Sequence, residues 1–159
     1  MLLYHNALRL LHGAAPLVYD TAIEAAAQRW ADTLGERASC MEHDPIHRHI
    51  SFFFVLEKYK YIVSETNCQI RVLSLFYSLN STNLLTIRYN MMNVHETGHF
   101  SQMIWKSSRR MGIGISTRLI SGGGAPCRPF HTTYQVFVVV KYDPPGNYMT
   151  PAAFAENVQ

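Results

Sequence analysis

The sequence predicts an α+β domain in which helices pack on a mainly antiparallel sheet. Three observations carry that prediction: a helical repeat of apolar residues near the start, two β-rich runs near the end, and a glycine-rich loop joining those runs. "YHNALRLLHG" reads as a short first helix closed by Gly13, and in the turn-rich connector "GAAPLVYD" Pro16 resists continuation. Thr21 and Glu24 have the spacing of a capping box. Ile23, Ala26, Ala27, Trp30, Ala31 and Leu34 then share one helical face, a core stripe that Gly35 is expected to end. "MGIGIS" and "YQVFVVVKYD" read as strands, and the nearly unbroken β-branched and aromatic run of the second suits a strand buried in the sheet. Between them "LISGGGAPCRP" is a loop, because three glycines and two prolines hold no regular element. "DPPGNY" ends the last strand as a rigid turn.

Composition narrows the function classes. The 159 residues suit one domain spanning 1–159, and 48% hydrophobic against 16% charged residues argues against disorder. No apolar run approaches the roughly 20 residues that span a bilayer. The formal charge of +3 comes from scattered basic residues rather than a stripe interleaved with aromatics, so no nucleic-acid footprint is present, while a weak attraction to anionic membrane surfaces stays open. Cys40, Cys68 and Cys127 are odd in number and irregular in spacing, which allows at most one bridge and no C-x-x-C metal pair. His5, Arg9 and His12 interrupt what would have to be the apolar core of a signal peptide. The expectation is either a protein made without one or a start internal to a longer chain.

Residues 46–92 differ in character. No glycine occurs between Glu36 and Thr97 and no proline between Ile46 and Ala125, so the usual turn punctuation is missing. "ISFFFVLEKYKYIV" and "IRVLSLFYSL" fit strand or helix equally by periodicity. The sequon at Asn80 matters only in a secreted chain.

The flanks carry a resemblance. "HNALRLLHGAAPLVYD", "AAAQRWADTL", "CMEHD", "TGHFSQMIWKSSRRMGIGIS" and "VVVKYDPPGNY" occur in the order found in the CAP superfamily, the cysteine-rich secretory, antigen 5 and pathogenesis-related-1 proteins with their SCP/TAPS domain. About two thirds of the chain is covered, and the ending "AAFAENV" with few cysteines looks most like the Golgi-associated pathogenesis-related branch. The resemblance implies a three-layer α-β-α sandwich and a cleft of two histidines and two glutamates that holds a divalent metal such as zinc in some relatives. It places the histidines at His43 and His99. The glutamate motifs, Gly-Glu-Asn-Leu and Trp-Tyr-x-Glu, are absent, and Leu85 stands where the second glutamate belongs. Either residues 46–92 have diverged, or they do not belong to the native product, as when a gene model reads through an intron. The abrupt change between intact motifs favours the latter.

The candidate site is therefore incomplete. Glu57 and Glu65 are the nearest carboxylates to the first lost glutamate motif, and Glu96 sits three residues before His99. Two imidazoles alone bind zinc weakly, because a tight site wants three or four ligands. In "HFSQMIW" Phe100, Met103 and Ile104 repeat at helical spacing, which turns His99 toward a cleft while Trp105 packs inward. Ser101 invites a nucleophile reading with His99 but lacks an acidic orienter and an oxyanion hole. His5, His12, His47, His49, His95 and His131 show no metal spacing. The sequence thus leads to a non-catalytic binding domain for lipid, sterol or a membrane surface. Alternatives are a secreted protein-interaction or effector domain, including self-association, and a metal-dependent or serine hydrolase. The expected location is extracellular, as the resemblance implies, or peripheral on Golgi and endomembranes.

Overall fold

The run "YQVFVVVKYD" becomes an interior strand because nearly every side chain it carries is apolar on both faces. The computed structural model describes residues 1–37, 44, 52–57, 94–123, 130–148 and 150–158, with the backbone alone at 52–57 and 94–98. In chain order the elements are α1 (Leu2–Leu11), β1 (Val18–Tyr19), α2 (Thr21–Arg37), β2 (Phe52–Glu57), α3 (Val94–Ile104), β3 (Arg110–Ile120), β4 (Thr133–Asp143) and α4 (Pro151–Asn157). The sheet runs β1-β3-β4-β2. β3 and β4 form a long antiparallel pair from Arg110↔Asp143 to Ile120↔Thr133, and β2 pairs antiparallel with β4.

Strand alternation along β4 builds two cores. Phe137 and Val139 point to one face and meet Ala27, Trp30, Ala31 and Leu34 of α2. Val140 and Tyr142 point to the other and meet Leu8 of α1, Met103 and Ile104 of α3, Trp105, and Phe154 and Val158 at α4. Helices cover both faces of the sheet, so the α+β expectation holds and the arrangement fits an α-β-α sandwich. Gly112 and Gly114 let α2 lie directly on β3: a Cβ at Gly112 would fall 2.1 Å from the Glu24 nitrogen and one at Gly114 2.3 Å from the Ala27 carbonyl carbon.

Three expectations need correction. The connector "GAAPLVYD" contains β1, which pairs parallel with β3 through Val18↔Arg110 and Tyr19↔Met111, so the sheet is mixed. Gly35 does not stop α2, which continues to Arg37. The missing side chain instead admits Arg118, whose Cγ would lie 2.8 Å from a Cβ there. The cap of α2 is Asp20 rather than Thr21, since Asp20 Oδ1 accepts the backbone N–H of Ala22 at 2.9 Å and of Ile23 at 3.1 Å. In the segment that periodicity left open, 52–57 is a strand; the remainder of 46–92 lies outside the described residues.

Candidate functional site

The signature "GHFSQMIWKSS" spans the C-terminal half of α3 and the turn into β3. Its polar side chains are committed to the scaffold. Ser101, fully buried, donates its hydroxyl to Asn147 Oδ1 at 2.7 Å. Gln102 bridges two neighbours: its Nε2 donates to Ser108 Oγ at 3.0 Å, and its Oε1 accepts the Gly146 N–H at 2.8 Å. Ser108 Oγ in turn donates to the Pro144 carbonyl at 2.8 Å. The turn after β4 is thereby fastened to α3 at Asn147 and Gly146, and to Ser108 beyond the helix at Pro144. Both special residues of that turn follow from the contact. Asn147 holds a left-handed φ of 56° while its side chain receives Ser101. Gly146 is required because a Cβ would lie 2.4 Å from Trp105 Cγ. Trp105 is completely buried, edge-on to Phe154 at 5.2 Å between ring centres.

Arg9 secures the other side of the same segment. It is buried, and its guanidinium donates to the carbonyls of Ala15 (2.7 Å), Met103 (3.0 Å), Trp105 (2.9 Å) and Ser108 (2.9 Å). Met103 belongs to the last turn of α3, whose final carbonyls have no intrahelical partner, and Trp105 directly follows it. Burial lowers the Arg9 pKa to about 10, which leaves it charged at neutral pH. His5, one turn earlier, hydrogen-bonds the Met1 carbonyl through Nδ1 at 3.0 Å and the Tyr142 hydroxyl through Nε2 at 2.7 Å. A carbonyl only accepts, so Nδ1 carries the proton and the Tyr142 hydroxyl donates to Nε2. Burial, the dominant cause, depresses the His5 pKa to about 4 and raises that of Tyr142 well above its ordinary value.

The expected cleft residues are only partly brought into view. His99 is half-buried on α3. His43 and Glu65 lie outside the described residues, as do Cys40, Cys68, Cys127 and Asn80. Glu57 ends β2 opposite Gln135 and Glu96 lies in the first turn of α3, with both side chains outside the described set. Among the described residues, no three His, Cys, Asp or Glu side chains converge as a metal would require.

One contact beside His43 was not anticipated. Asp44 and Lys141 of β4 form a buried ion pair, with Lys141 1% exposed. This pair ties the segment just after His43 to the sheet. A cavity of about 250 Å³ opens beside the N-terminal turn of α2, between Ile23, Ala26, Arg110 and Lys141. Its cations are already paired, Arg110 with Asp20 at 2.8 Å and with Asp143, and Lys141 with Asp44.

Comparison with known proteins settles the family. A model of the cysteine-rich secretory protein family, CAP, matches residues 2–142. The chain belongs to the CAP family. It is similar to the basic form of pathogenesis-related protein 1 of Nicotiana tabacum, 26% identical over 157 residues, covering 96% of this chain and 72% of that protein. A Golgi-associated plant pathogenesis-related protein 1 of Homo sapiens is 37% identical over 62 residues, 39% of this chain and 32% of that one. Among solved structures, MpPR-1i superposes with a TM-score of 0.53 at 18% identity, covering 94% of this chain and 88% of the other. NaASP2 crystallised with Zn²⁺ gives 0.58 at 16% identity, covering 93% and 79%. At such identities the structures speak for the CAP fold alone.

Proposed function

We propose that this CAP domain is a non-catalytic binding module for lipid or sterol, working extracellularly or on the surface of Golgi and endomembranes. The observation that carries the reading is the commitment of Ser101, whose hydroxyl is fully buried and donates to Asn147 at 2.7 Å. A nucleophile must instead meet its base and the substrate. With Gln102 and Ser108 likewise engaged by the turn at 144–147, the signature works as a clamp that fixes α3 and presents His99, rather than as reacting chemistry. Large apolar side chains left exposed, among them Leu10 and Leu11, support an apolar ligand.

The test pairs binding with turnover. A fluorescent sterol and a fluorescent fatty acid should each be titrated into the purified chain in solution, and hydrolysis of a simple aryl ester followed in parallel with the Ser101→Ala and His99→Ala variants. The expected result is saturable binding of one ligand and no hydrolysis above background. Hydrolysis that disappears in both variants restores the serine hydrolase reading. A chain that binds neither ligand returns the protein-interaction alternative, for which the exposed cross-strand neighbours Leu119 and Tyr134 are the surface to examine.

A further inference from the structure

On the side of β3 away from β4, side chains take over the hydrogen bonding where β1 ends. β1 pairs with β3 at Arg110 and Met111. Past that point Ile113, Ile115, Thr117 and Leu119 are the residues whose backbone groups turn outward, since outward residues alternate along a strand. Two bonds fix the phase: the Met111 carbonyl accepts the Asp20 N–H at 2.9 Å, and Gln28 bonds both the N–H and the carbonyl of Ile115 at 2.9 Å. The bonds at Ile115 lie exposed to solvent. Arg118 folds back over the same edge and donates to the Thr117 carbonyl at 3.2 Å. Asp32, one turn beyond Gln28 on α2, holds both side chains, taking an N–H of the Gln28 amide at 3.2 Å and of the Arg118 guanidinium at 3.4 Å.

The edge covered in this way is complementary to itself. Gly112 and Gly114 lie under α2, so Ile115, Thr117 and Leu119 share the opposite face, where Ile115 and Leu119 stand 52% and 58% exposed. A two-fold antiparallel pairing of β3 with a second copy is centred on one outward residue. Centred on Thr117, it sets Ile115 against Leu119 of the second copy, and by symmetry Leu119 against Ile115, so each exposed apolar side chain meets another. Centred on Ile115, it would bring Leu119 opposite Met111, where β1 already lies. Centred on Leu119, it would run past Ile120, the last residue of β3. One register therefore uses the edge fully. It exchanges the backbone groups of Ile115, Thr117 and Leu119, and Gln28 and Arg118 occupy the first two. The match of Ile115 with Leu119 is internal to this chain, which makes a second copy the partner.

We propose that Gln28, Asp32 and Arg118 keep this chain from dimerising through β3, by holding the backbone groups of the register centred on Thr117. The role is independent of any ligand that the domain binds.

Light scattering over a concentration series of the full chain tests it. Wild type should keep the mass of one chain. The variant Q28M/R118M retains both apolar stems, so helix content and melting temperature should hold, checked by circular dichroism, while the edge is freed. Its mass should rise to two chains, with dimer affinity at least about tenfold above wild type. Adding Thr117→Pro should return the monomer, because Thr117 turns its N–H outward and gives up no bond to β4, whereas the dimer loses its two central bonds. Leu119→Lys in place of the proline, at an exposed position that leaves the fold intact, should do the same by setting a charge against Ile115. A double variant that keeps the wild-type mass overturns the proposal. So does association that survives both Thr117→Pro and Leu119→Lys, since it then belongs to the methionines, and so does growth beyond two chains, which a two-fold register does not allow. A dimer already formed by wild type and dissolved by Leu119→Lys overturns it as well, because the edge is then open.

Discussion

The two faces of the sheet are held by opposite means. Against α2 the contact is dry and close, made by Ala27, Ala31 and Leu34 over the bare backbone of Gly112 and Gly114. Against α1, α3 and α4 the core is equally buried but threaded with polar side chains, Arg9, His5, Gln102, Ser101 and Ser108, each hydrogen-bonded across it. One face depends on what is missing from the side chains, the other on where their protons point. The signature that marks the family lies on the polar face, where its Ser101, Gln102 and Ser108 are all engaged by the turn after β4.

That contrast predicts unequal responses to mutation. The largest effect is expected at Arg9. Arg9→Met keeps much of the volume but removes a donor from four carbonyls, of which that of Trp105 keeps the Ser108 N–H and that of Ser108 keeps Arg109, so at about 1 kcal/mol or more for each one left alone roughly 2 to 4 kcal/mol of stability should be lost. Urea unfolding with an unchanged m-value would show it, and a loss under about 1 kcal/mol would mean that water replaces the guanidinium. Next comes Gly114→Ala, which drives a methyl into the α2 backbone and should cost about 2 to 3 kcal/mol by overpacking. If instead it stabilises the fold, the close approach of α2 to β3 is wrong.

The effect that vanishes at neutral pH is an acid dependence on the polar face. His5 is neutral in the fold, with a pKa of about 4 against an ordinary 6.5. Between those values the unfolded chain binds a proton that the folded chain does not, so stability is complete above pH 6.5 and falls as pH drops toward 4, by roughly 2 to 3 kcal/mol. His5→Gln should flatten that part of the profile. A slope unchanged in the variant assigns the acid sensitivity to other groups.

Much of this architecture was legible from local pattern. The β-branched run of β4, the helical stripe of α2 and the spacing of Phe100, Met103 and Ile104 each announce an element through their own periodicity. The errors arose where a residue serves a distant partner. Gly35 reads as a helix stop, yet its partner is Arg118 on β3. The site shows the same limit more strongly. Ser101 and Asn147, or Arg9 and the Met103 carbonyl, are partners separated by 46 and 94 positions, and no local rule joins them. Asp44 beside His43 gave no hint of Lys141 for the same reason.

Among the described residues, the brevity of β1 leaves most of the outer margin of β3 without a neighbouring strand, the arrangement through which sheets of separate molecules join into aggregates. Gln28 answers this from the helix above. Its amide accepts the Ile115 N–H at 2.9 Å and donates to the Ile115 carbonyl at 2.9 Å, imitating the paired backbone of a missing strand. The Arg118 guanidinium donates to the Thr117 carbonyl on the same strand. A single glutamine thus works as a stopper, closing the register that an incoming chain would need while α2 keeps its grip on the sheet.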